Sequence, residues 1–350
     1  MPLLSIDFPS WISPEIIPGF PVRWYGLMYV FAFATAFIVY RKQIKERKFP
    51  MTDDSLSSMF TWGIIGLIVG ARLFSTLFYD TSGLYLKKPW LIFWPFQDGR
   101  FTGLQGMSYH GGAFCCLLAI VIYTRIKKID FREAGDMFAA SIPLGYTFGR
   151  IGNFINAELY GRVTTVPWGM VFPERTTETF SVDIDWAREI AVKTGTEISG
   201  AMVNLPRHPS QLYEAFFEGI VLWGIIWFFR NIKPFKGFLI GLYFLGYGFF
   251  RFFIEYFREP DKHLGYRFEI VKTDLPTAFA HPLLSFSTGQ IFCFIMMLFG
   301  AAWLFFASRL PDREPIRIYD GANEANKEEE ARAEAARERN QRRKLRKKLK

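Results

Sequence analysis

The sequence predicts an all-α polytopic membrane protein with about seven transmembrane helices and a small periplasmic subdomain. Half of its 350 residues are hydrophobic and 18% are aromatic, whereas only 21% are charged. The charges are therefore crowded into short stretches, and the apolar runs between them are too long for a soluble core. In addition, Lys and Arg are concentrated in alternate connections between these runs, which is typical of cytoplasmic loops.

The composition also excludes several other classes of protein. It is too apolar for a disordered chain, and it matches neither a collagen nor a disulfide scaffold. The three cysteines, Cys115, Cys116 and Cys293, lie within apolar runs and have no Cys-x-x-Cys spacing. We therefore expect them to be packing residues, and we expect no metal site and no cofactor.

Seven apolar segments approach the length that a transmembrane helix needs. Crossing about 30 Å of hydrocarbon takes about 20 helical residues. The segments are 22–40, 57–79, 107–124, 136–156, 212–230, 238–256 and 288–307. The fourth contains Pro143 and three glycines, so we expect it to be broken or partly re-entrant.

Orientation follows from the positions of Lys and Arg, because positively charged short loops tend to stay in the cytoplasm. Basic residues follow the first, third and fifth segments, within 41–48, 125–132 and 230–236. This pattern places the N-terminus outside and the C-terminus in the cytoplasm. The first 22 residues contain no Lys or Arg, so a cleaved signal peptide is not expected.

The predicted domains are a membrane-embedded domain over residues 1–308 and a basic cytoplasmic tail over residues 309–350. Within the first, residues 157–209 form an external stretch long enough for a periplasmic subdomain. The last thirty residues contain eleven basic and six acidic side chains. Such a tail can bind anionic lipid headgroups or nucleic acid, or it can be a solvated helix that only fixes the topology, which we favour. We expect no nucleic acid partner.

Polar residues within the apolar segments indicate a functional site. An Arg at the centre of a span costs about 2.5 to 3.5 kcal/mol on insertion scales, so it usually faces a cavity or a partner. Arg72, Arg150 and Arg251 each lie about 21 to 22 Å along a span from its cytoplasmic start. The first and third spans begin at the same level, with Tyr25 and with His110. The sequence therefore predicts a site in the outer third of the bilayer.

Local spacing favours a site rather than scattered surface anchors. Tyr247, Arg251 and Glu255 are four residues apart, so they share one helix face. Arg150 and Asn153 are three apart, and neighbouring glycines leave room for a ligand. Guanidinium groups can bind phosphate through two parallel hydrogen bonds, so a pair of them at headgroup depth indicates a phospholipid. Two structural alternatives are that Arg251 and Glu255 only neutralise each other, or that the arginines extend toward water.

His110 is a candidate proton acceptor. It begins the third span beside two glycines, and imidazole titrates near neutral pH. The alternative is a purely structural His at a helix start.

Residues 149–162 carry the most specific pattern, Gly-Arg-Ile-Gly-Asn-Phe-Ile-Asn-Ala-Glu-Leu-Tyr-Gly-Arg. This string resembles the signature of bacterial prolipoprotein diacylglyceryl transferases. Further matches occur in family order at 23–27, 70–73, 110–112, 207–214, 251–255 and 258–261. The resemblance covers roughly residues 15–308. The loop 174–205 and the tail after residue 311 depart from it.

The resemblance implies a multi-pass enzyme of the bacterial inner membrane, with its active site toward the periplasm. Such an enzyme transfers the sn-1,2-diacylglyceryl group of phosphatidylglycerol to the lipobox cysteine thiol of a preprolipoprotein and releases glycerol phosphate. This is the first step of lipoprotein maturation. The implied partners are phosphatidylglycerol, preprolipoprotein signal peptides with a lipobox cysteine, and membrane lipids.

The same resemblance suggests roles for the polar residues. Those expected to act in catalysis are His110, Arg150, Arg251, Tyr25 and Glu158. Those expected to bind phosphatidylglycerol are Arg150, Asn153, Asn156, Gly161, Arg251, Tyr247, Glu255 and Arg72. The two arginines 150 and 251 are assigned to the phosphate, and Glu158 and Glu255 to orienting them. His110 is the candidate base, although the resemblance does not fix which group takes the proton.

Other functions remain as alternatives. A transporter or channel for a small anion would use arginines similarly, but it predicts inverted repeats and polar groups near the midplane, which the sequence lacks. A non-enzymatic membrane scaffold would have no use for the polar cluster. An intramembrane serine protease is disfavoured because no Gly-x-Ser-x-Gly pattern occurs.

Overall fold

The computed structural model describes residues 5–17, 23–80, 83–97, 99–101, 106–259, 266–269 and 285–311, and it is mostly helical. The helices are α1 (Trp24–Arg47), α2 (Asp53–Tyr79), α3 (Leu84–Lys87), α4 (Tyr109–Ile126), α5 (Phe131–Ala139), α6 (Ile142–Ile155), α7 (Asp185–Thr194), α8 (Ser210–Phe229), α9 (Phe238–Ile254) and α10 (Thr288–Ala307). Apart from residues 309–311, the predicted basic tail lies outside the described residues.

Short strands occur between the helices. They are β1 (Ile6–Asp7), β2 (Phe96–Gln97), β3 (Arg100–Phe101), β4 (Met170–Val171), β5 (Phe180–Ser181), β6 (Ile198–Ser199), β7 (Met202–Val203), β8 (Tyr266–Glu269) and β9 (Ser285–Ser287). The all-α prediction is therefore corrected to a mostly helical fold with small sheets. Strands of two to four residues are too short to show a hydrophobic alternation in the sequence.

Within the described ranges, four helices are long and apolar enough to cross a membrane, namely α1, α2, α8 and α10. The apolar stretches in α4 and in α9 are shorter. All seven predicted segments contain helix, so the chain folds as a helical membrane protein. The full number of spans and their orientation stay predictions.

The fourth predicted segment is broken, as the sequence indicates. Helix α5 ends at Ala139 and α6 begins at Ile142, with Pro143 in its first turn. Proline has no amide hydrogen to donate and fits the start of a helix. The glycines of this segment lie inside α6 without interrupting it. The break thus comes from the proline end of the segment alone.

The described residues fall into two compact units. The first comprises the described residues within Met1–Lys42 and Gly135–Asp312, and the second comprises those within Gln43–Ala134. The first unit includes α6, α8, α9 and α10. Its core contains Ala139, Ala140, Leu222, Ile226 and Leu239.

Asp136 of α5 caps the start of α9 within the first unit. Its buried carboxylate accepts hydrogen bonds from the Gly237 and Ile240 amides at 2.9 and 3.1 Å. The Lys233 Nζ donates a third at 2.8 Å. The N-cap residue Gly237 has no side chain, so Asp136 supplies the acceptor that the first turn of α9 needs.

Residues 157–209 have a hydrophobic core of their own. Strands β5, β7 and β6 form an antiparallel three-stranded sheet beside α7. The core between them contains Val163, Ala187, Ile190, Ala191, Val203 and Leu205. Strand β4 of the same segment pairs in parallel with the N-terminal strand β1. The predicted subdomain is therefore a small α/β structure.

In the second unit, α2 packs closely against α4. A Cβ atom added to Gly70 would lie 2.4 Å from the Gly111 carbonyl oxygen. Only glycine therefore allows the two backbones to approach at this point. Ser108 caps α4 by accepting a hydrogen bond from the Gly111 amide. This arrangement fixes the start of α4, where His110 lies.

Candidate active site

Six buried or half-buried charged residues of the first unit form a cluster, which we call the arginine–carboxylate cluster. Its arginines are Arg150 of α6, Arg251 of α9 and Arg258 just after α9. Its carboxylates are Glu214 and Glu218 of α8 and Glu255 beside α9. Three helices that are otherwise strongly apolar thus bring equal numbers of opposite charges together.

Glu214 lies at the centre of the cluster, with only 1% of its side chain exposed. Its Oε2 is 2.8 Å from Arg150 Nε, and its Oε1 is 2.8 Å from Arg251 Nη1. The Arg258 Nη1 is 3.4 Å from the same Oε1. A single carboxylate therefore joins guanidinium groups from two helices and the following turn. The prediction that Arg150 and Arg251 meet from separate spans is consistent with this geometry.

Tyr146 connects Arg150 to the second carboxylate of α8. The Arg150 Nε donates to Tyr146 Oη at 2.6 Å, and this hydroxyl donates to Glu218 Oε2 at 2.5 Å. The guanidinium carbon lies 4.8 Å from the centre of the Tyr146 ring. Tyr247 packs edge-on against the same ring, at 5.8 Å between centroids. The aromatic pair thereby holds the Arg150 side chain against the helix bundle.

Arg251 is held on its other side by Glu255. The Arg251 Nη2 lies 3.2 Å from Glu255 Oε2, four residues along the chain. The Ser287 Oγ donates to Glu255 Oε1 at 3.1 Å. Ser287 also caps α10 in a capping box with Gln290. The start of α10 thus fixes the carboxylate that pairs with Arg251. The role of Glu255 in orienting Arg251 for a ligand stays a prediction.

Several charged atoms of the cluster are held by ion pairs rather than by well-aligned hydrogen bonds. Among the described residues, the buried Arg251 Nη1, Glu214 Oε2, Glu218 Oε1 and Glu255 Oε2 make no hydrogen bond of good geometry. All four lie at ion-pair distance from a partner. Buried polar groups normally find a hydrogen-bond partner. Of the four atoms, Arg251 Nη1 is the donor, and it is the one to which an anion would supply an acceptor.

The end of α6 carries a second polar group around Glu158. Its Oε1 accepts from Asn153 Nδ2 at 2.9 Å and from Asn156 Nδ2 at 3.3 Å. Asn153 Oδ1 in turn accepts from Arg150 Nη1 at 3.2 Å. Glu158 is thus connected to Arg150 through Asn153. Asn153, Asn156 and Glu158, which the sequence predicted for one site, therefore lie in contact.

The backbone around Glu158 is unusual. The flanking residues Ala157 and Leu159 have φ angles of 53° and 56°, in the left-handed region. Neither residue is glycine, so this conformation costs free energy and is maintained by its surroundings. The Glu158 amide returns to the Asn153 carbonyl at 3.1 Å. The turn therefore directs the carboxylate back toward α6.

Tyr25 lies near this part of α6. A Cβ atom added to Gly152 would be 3.3 Å from Tyr25 Cδ2, so the ring packs against this glycine. The Tyr25 hydroxyl is 3.0 Å from the Tyr29 hydroxyl. Tyr25 of α1 therefore contacts α6 at Gly152, the residue next to Asn153. Its predicted contact with a headgroup stays a prediction.

Gly161 occupies a crowded backbone crossing. A Cβ atom there would lie 2.3 Å from the Phe257 carbonyl oxygen and 2.8 Å from His208 Cβ. Gly161 pairs with Arg258 in a β-bridge, and its amide donates to the His208 carbonyl. Its observed role is to let the signature segment pass beside the end of α9. Burial and the nearby Arg162 lower the pKa of His208 to about 4.

Arg72 and His110 belong to the second unit. The Arg72 guanidinium donates to the carbonyls of Ile92 and Gly106 and to the Tyr85 hydroxyl. These contacts are those of a residue that holds together the connection after α2. His110 lies exposed at the start of α4. The predicted participation of both residues in the site stays a prediction.

Sequence reasoning missed the carboxylates of α8 and the tyrosine of α6. Glu214, Glu218 and Tyr146 are absent from the residues that the sequence predicted for the site. A signal was present, because Glu214 and Glu218 are four residues apart within an apolar span, like Arg251 and Glu255. Charged residues inside spans usually mark function. In the described ranges, His, Cys, Asp and Glu form no group of three or more that could hold a metal ion.

The fold and the cluster together define a helical membrane protein with a cluster of paired arginines and carboxylates among its apolar helices. A family model described as prolipoprotein diacylglyceryl transferase matches residues 13–306. The chain therefore belongs to the prolipoprotein diacylglyceryl transferase family. Membership of this enzyme family confirms the resemblance seen at residues 149–162, and it leaves the transporter or channel alternative without support.

Individual relatives agree with this assignment over nearly the whole chain. The phosphatidylglycerol–prolipoprotein diacylglyceryl transferase of Treponema pallidum (strain Nichols) is 51% identical over 329 residues, covering 90% of this chain and 99% of the relative. The protein of the same name from Treponema denticola is 51% identical over 86% of this chain and 94% of the relative. That from Chlorobaculum tepidum is 39% identical over 89% and 98%.

Proposed function

We propose that this enzyme transfers the diacylglyceryl group of phosphatidylglycerol to the lipobox cysteine thiol of a preprolipoprotein. The family assignment gives the reaction class. The observation that supports a particular site for the reaction is that Arg150 and Arg251 both contact Glu214. In the reaction, a carbon–sulfur bond forms at the glycerol carbon that bears the phosphate. The carbon–oxygen bond to that phosphate breaks, and glycerol phosphate leaves.

The arginine–carboxylate cluster serves the leaving group in this proposal. The phosphate gains negative charge when it changes from a diester to a monoester. Donors already aimed at the developing charge stabilise the transition state more than the ground state. Arg150 and Arg251 keep their positive charge at any relevant pH. They exchange part of their contact with Glu214 for contact with the phosphate oxygens.

The polar group at the end of α6 serves the rest of the headgroup. Asn153 and Asn156 carry amides that can donate to or accept from glycerol hydroxyls. Glu158 orients both amides by accepting their hydrogen bonds. Tyr25 packs against Gly152, beside these amides. Tyr247 lines the cluster through its contact with Tyr146. Arg72 and Gly161 are also predicted to bind the lipid. Their contacts described above are with the protein and hold the backbone around each of them.

The thiol must lose its proton, because the thiolate is the nucleophile. His110 is our candidate for the base. Its exposed position at the start of α4 leaves the ring accessible to a substrate. The apolar helix faces hold the acyl chains and the signal helix of the preprolipoprotein, and this confinement raises the effective concentration of thiol and lipid.

The same proposal includes a membrane topology. Seven spans place the N-terminus outside and the C-terminus in the cytoplasm of a bacterial inner membrane. Residues 1–308 form the membrane-embedded transferase domain, and residues 157–209 lie in the periplasm. Residues 309–350 form a basic cytoplasmic tail. The distribution of Lys and Arg supports this orientation, and the separate core of the 157–209 segment supports its status as a subdomain.

Purified protein, phosphatidylglycerol vesicles and a lipobox peptide test the proposal directly. We expect a lipidated peptide and an equal amount of glycerol phosphate, with no release beyond slow hydrolysis when the peptide is omitted. Arg150→Ala and Arg251→Ala should abolish transfer while the protein still inserts into membranes. The control is Arg188→Ala, because Arg188 is an exposed arginine of α7. Normal transfer by either cluster variant would refute the assignment of the phosphate site.

A further inference from the structure

A cavity of about 580 Å³ lies beside the N-terminal strand β1. One wall is formed by residues between Asp7 and Ser13. The other wall is formed by residues 171–175 and Asn204. The volume lies within the range of about 300 to 1,000 Å³ that is usual for ligand pockets. We call this cavity the β1 cleft.

Strand β1 presents an open edge. The amides of Ile6 and Phe8 donate to the Gly169 and Val171 carbonyls at 2.9 and 3.0 Å. Because successive residues of a strand point their hydrogen-bonding groups to opposite edges, the amide and carbonyl of Asp7 face away from β4. In the described part of the chain, no strand pairs with that edge. Such an edge can accept an extended peptide by main-chain hydrogen bonds.

Asn204 supports the opposite wall. Its side chain is about nine-tenths buried, with 9% exposed. Its Nδ2 donates to the Phe172 carbonyl at 2.6 Å. This hydrogen bond holds the backbone at Phe172, which lines the cleft.

The floor of the cleft is continuous with the end of α6. The rings of Phe8 and Phe172, which line the cleft, pack against Phe154 at 5.3 and 6.2 Å between centroids. Phe154 directly follows Asn153. A chain lying in the β1 cleft is therefore separated by one aromatic layer from the helix turn that carries Asn153 and Asn156.

We propose that the β1 cleft binds, in extended form, the polypeptide that follows the acceptor cysteine of the preprolipoprotein. The inference rests on the proposed function, because that function supplies a polypeptide substrate near α6. Main-chain recognition at the open edge of Asp7 makes binding tolerant of sequence. Holding the chain on both sides of the thiol lowers the freedom that the cysteine must lose before it reacts.

The test compares two acceptor peptides with the full-length protein in phosphatidylglycerol vesicles. Both contain the same signal helix and cysteine, but one ends at the cysteine and the other continues for eight residues. Ser10→Trp fills the cleft from an exposed position, and Asp7→Pro removes the amide on the open edge without removing a contact to β4. The matched controls are Asp7→Ala, which keeps that amide, and Val192→Trp, on an exposed position of α7 outside the cleft.

We expect the unaltered protein to have a lower KM for the long peptide. Ser10→Trp and Asp7→Pro should raise that KM about fivefold to tenfold, as expected for one or two lost hydrogen bonds. They should leave kcat and the short-peptide KM unchanged. Equal KM values for the two peptides, or equal damage to both by the cleft variants, would overturn the cleft assignment while leaving the proposed function intact.

A second measurement tests the proposal even when a cleft variant fails to fold. A photoreactive benzoylphenylalanine at Ser13 should cross-link to the part of the long peptide beyond the cysteine and not to the signal helix. Cross-links only to the signal helix would contradict the proposal. Transfer to neither peptide by the unaltered protein would refute the proposed function itself, and the cleft assignment with it.

Discussion

Replacing Glu214 by Gln tests whether the carboxylate of α8 positions the arginines or only neutralises them. The substitution keeps the shape of the side chain but removes the charge that Arg150, Arg251 and Arg258 share. The described cluster then changes from a formal balance of three cations and three carboxylates to an excess of one positive charge. An anionic phospholipid should bind the ground state at least as well as before.

The loss should therefore appear in kcat. At least one charge-assisted hydrogen bond or ion pair that orients a guanidinium is lost, and each contributes about 1.5 to 3 kcal/mol. Because about 1.4 kcal/mol corresponds to a factor of ten in rate, we expect kcat to fall about 10-fold to 150-fold. The KM for phosphatidylglycerol should stay constant or decrease.

The assay is steady-state transfer to a saturating lipobox peptide, with phosphatidylglycerol varied in a neutral carrier lipid. Glu189→Gln is the matched control, because Glu189 is an exposed glutamate of α7. Thermal unfolding in detergent should be recorded in parallel, since leaving a buried charge without its partner costs about 3 to 5 kcal/mol. A raised KM with unchanged kcat, measured well below the unfolding temperature, would show that Glu214 does not position the arginines.

Three further predictions concern the frame of the site. Asp136→Asn should lower the unfolding temperature in detergent, because the start of α9 loses a charged cap and Lys233 its partner; an unchanged unfolding temperature would contradict the capping role. Gly161→Ala should prevent folding or abolish transfer, since its Cβ would overlap a carbonyl oxygen, whereas Gly149→Ala should fold normally because no atom lies within 4 Å of the added Cβ. His208 should stay neutral at physiological pH. Because its pKa in the folded protein, about 4, lies below the ordinary value of 6.5, stability should be lost as pH falls from about 6.5 to 4, and His208→Gln should reduce that loss.

The left-handed turn at residues 157–159 shows why a short motif can carry so much information. Asn153 and Asn156 both donate to Glu158, and Asn153 also accepts a hydrogen bond from Arg150. The glycine at 161 then allows the chain to cross the end of α9, where Arg258 contributes to the cluster. A fourteen-residue pattern thus encodes a helix end, a strained turn and a backbone crossing at once.

The separation of Arg150 from Arg251 along the chain illustrates what the sequence leaves open. Rise per residue gives each arginine a depth along its own helix, and that depth was sufficient to suggest a common site. Depth does not give the direction in which a side chain points around the bundle. Only packing of α6 and α9 against α8 shows that one carboxylate, Glu214, lies between the two guanidinium groups.

The sequence by itself determined the helical membrane class, the seven helical segments, the break near Pro143 and the family. These properties depend on composition, on the length of apolar runs and on local chemistry, which are all readable along the chain. The tertiary structure decided which charges share a cluster, that residues 157–209 fold as an α/β unit, and that Gly161 is a crossing point. These depend on contacts between distant segments, and a linear pattern of residues does not specify the side chains that meet across helices.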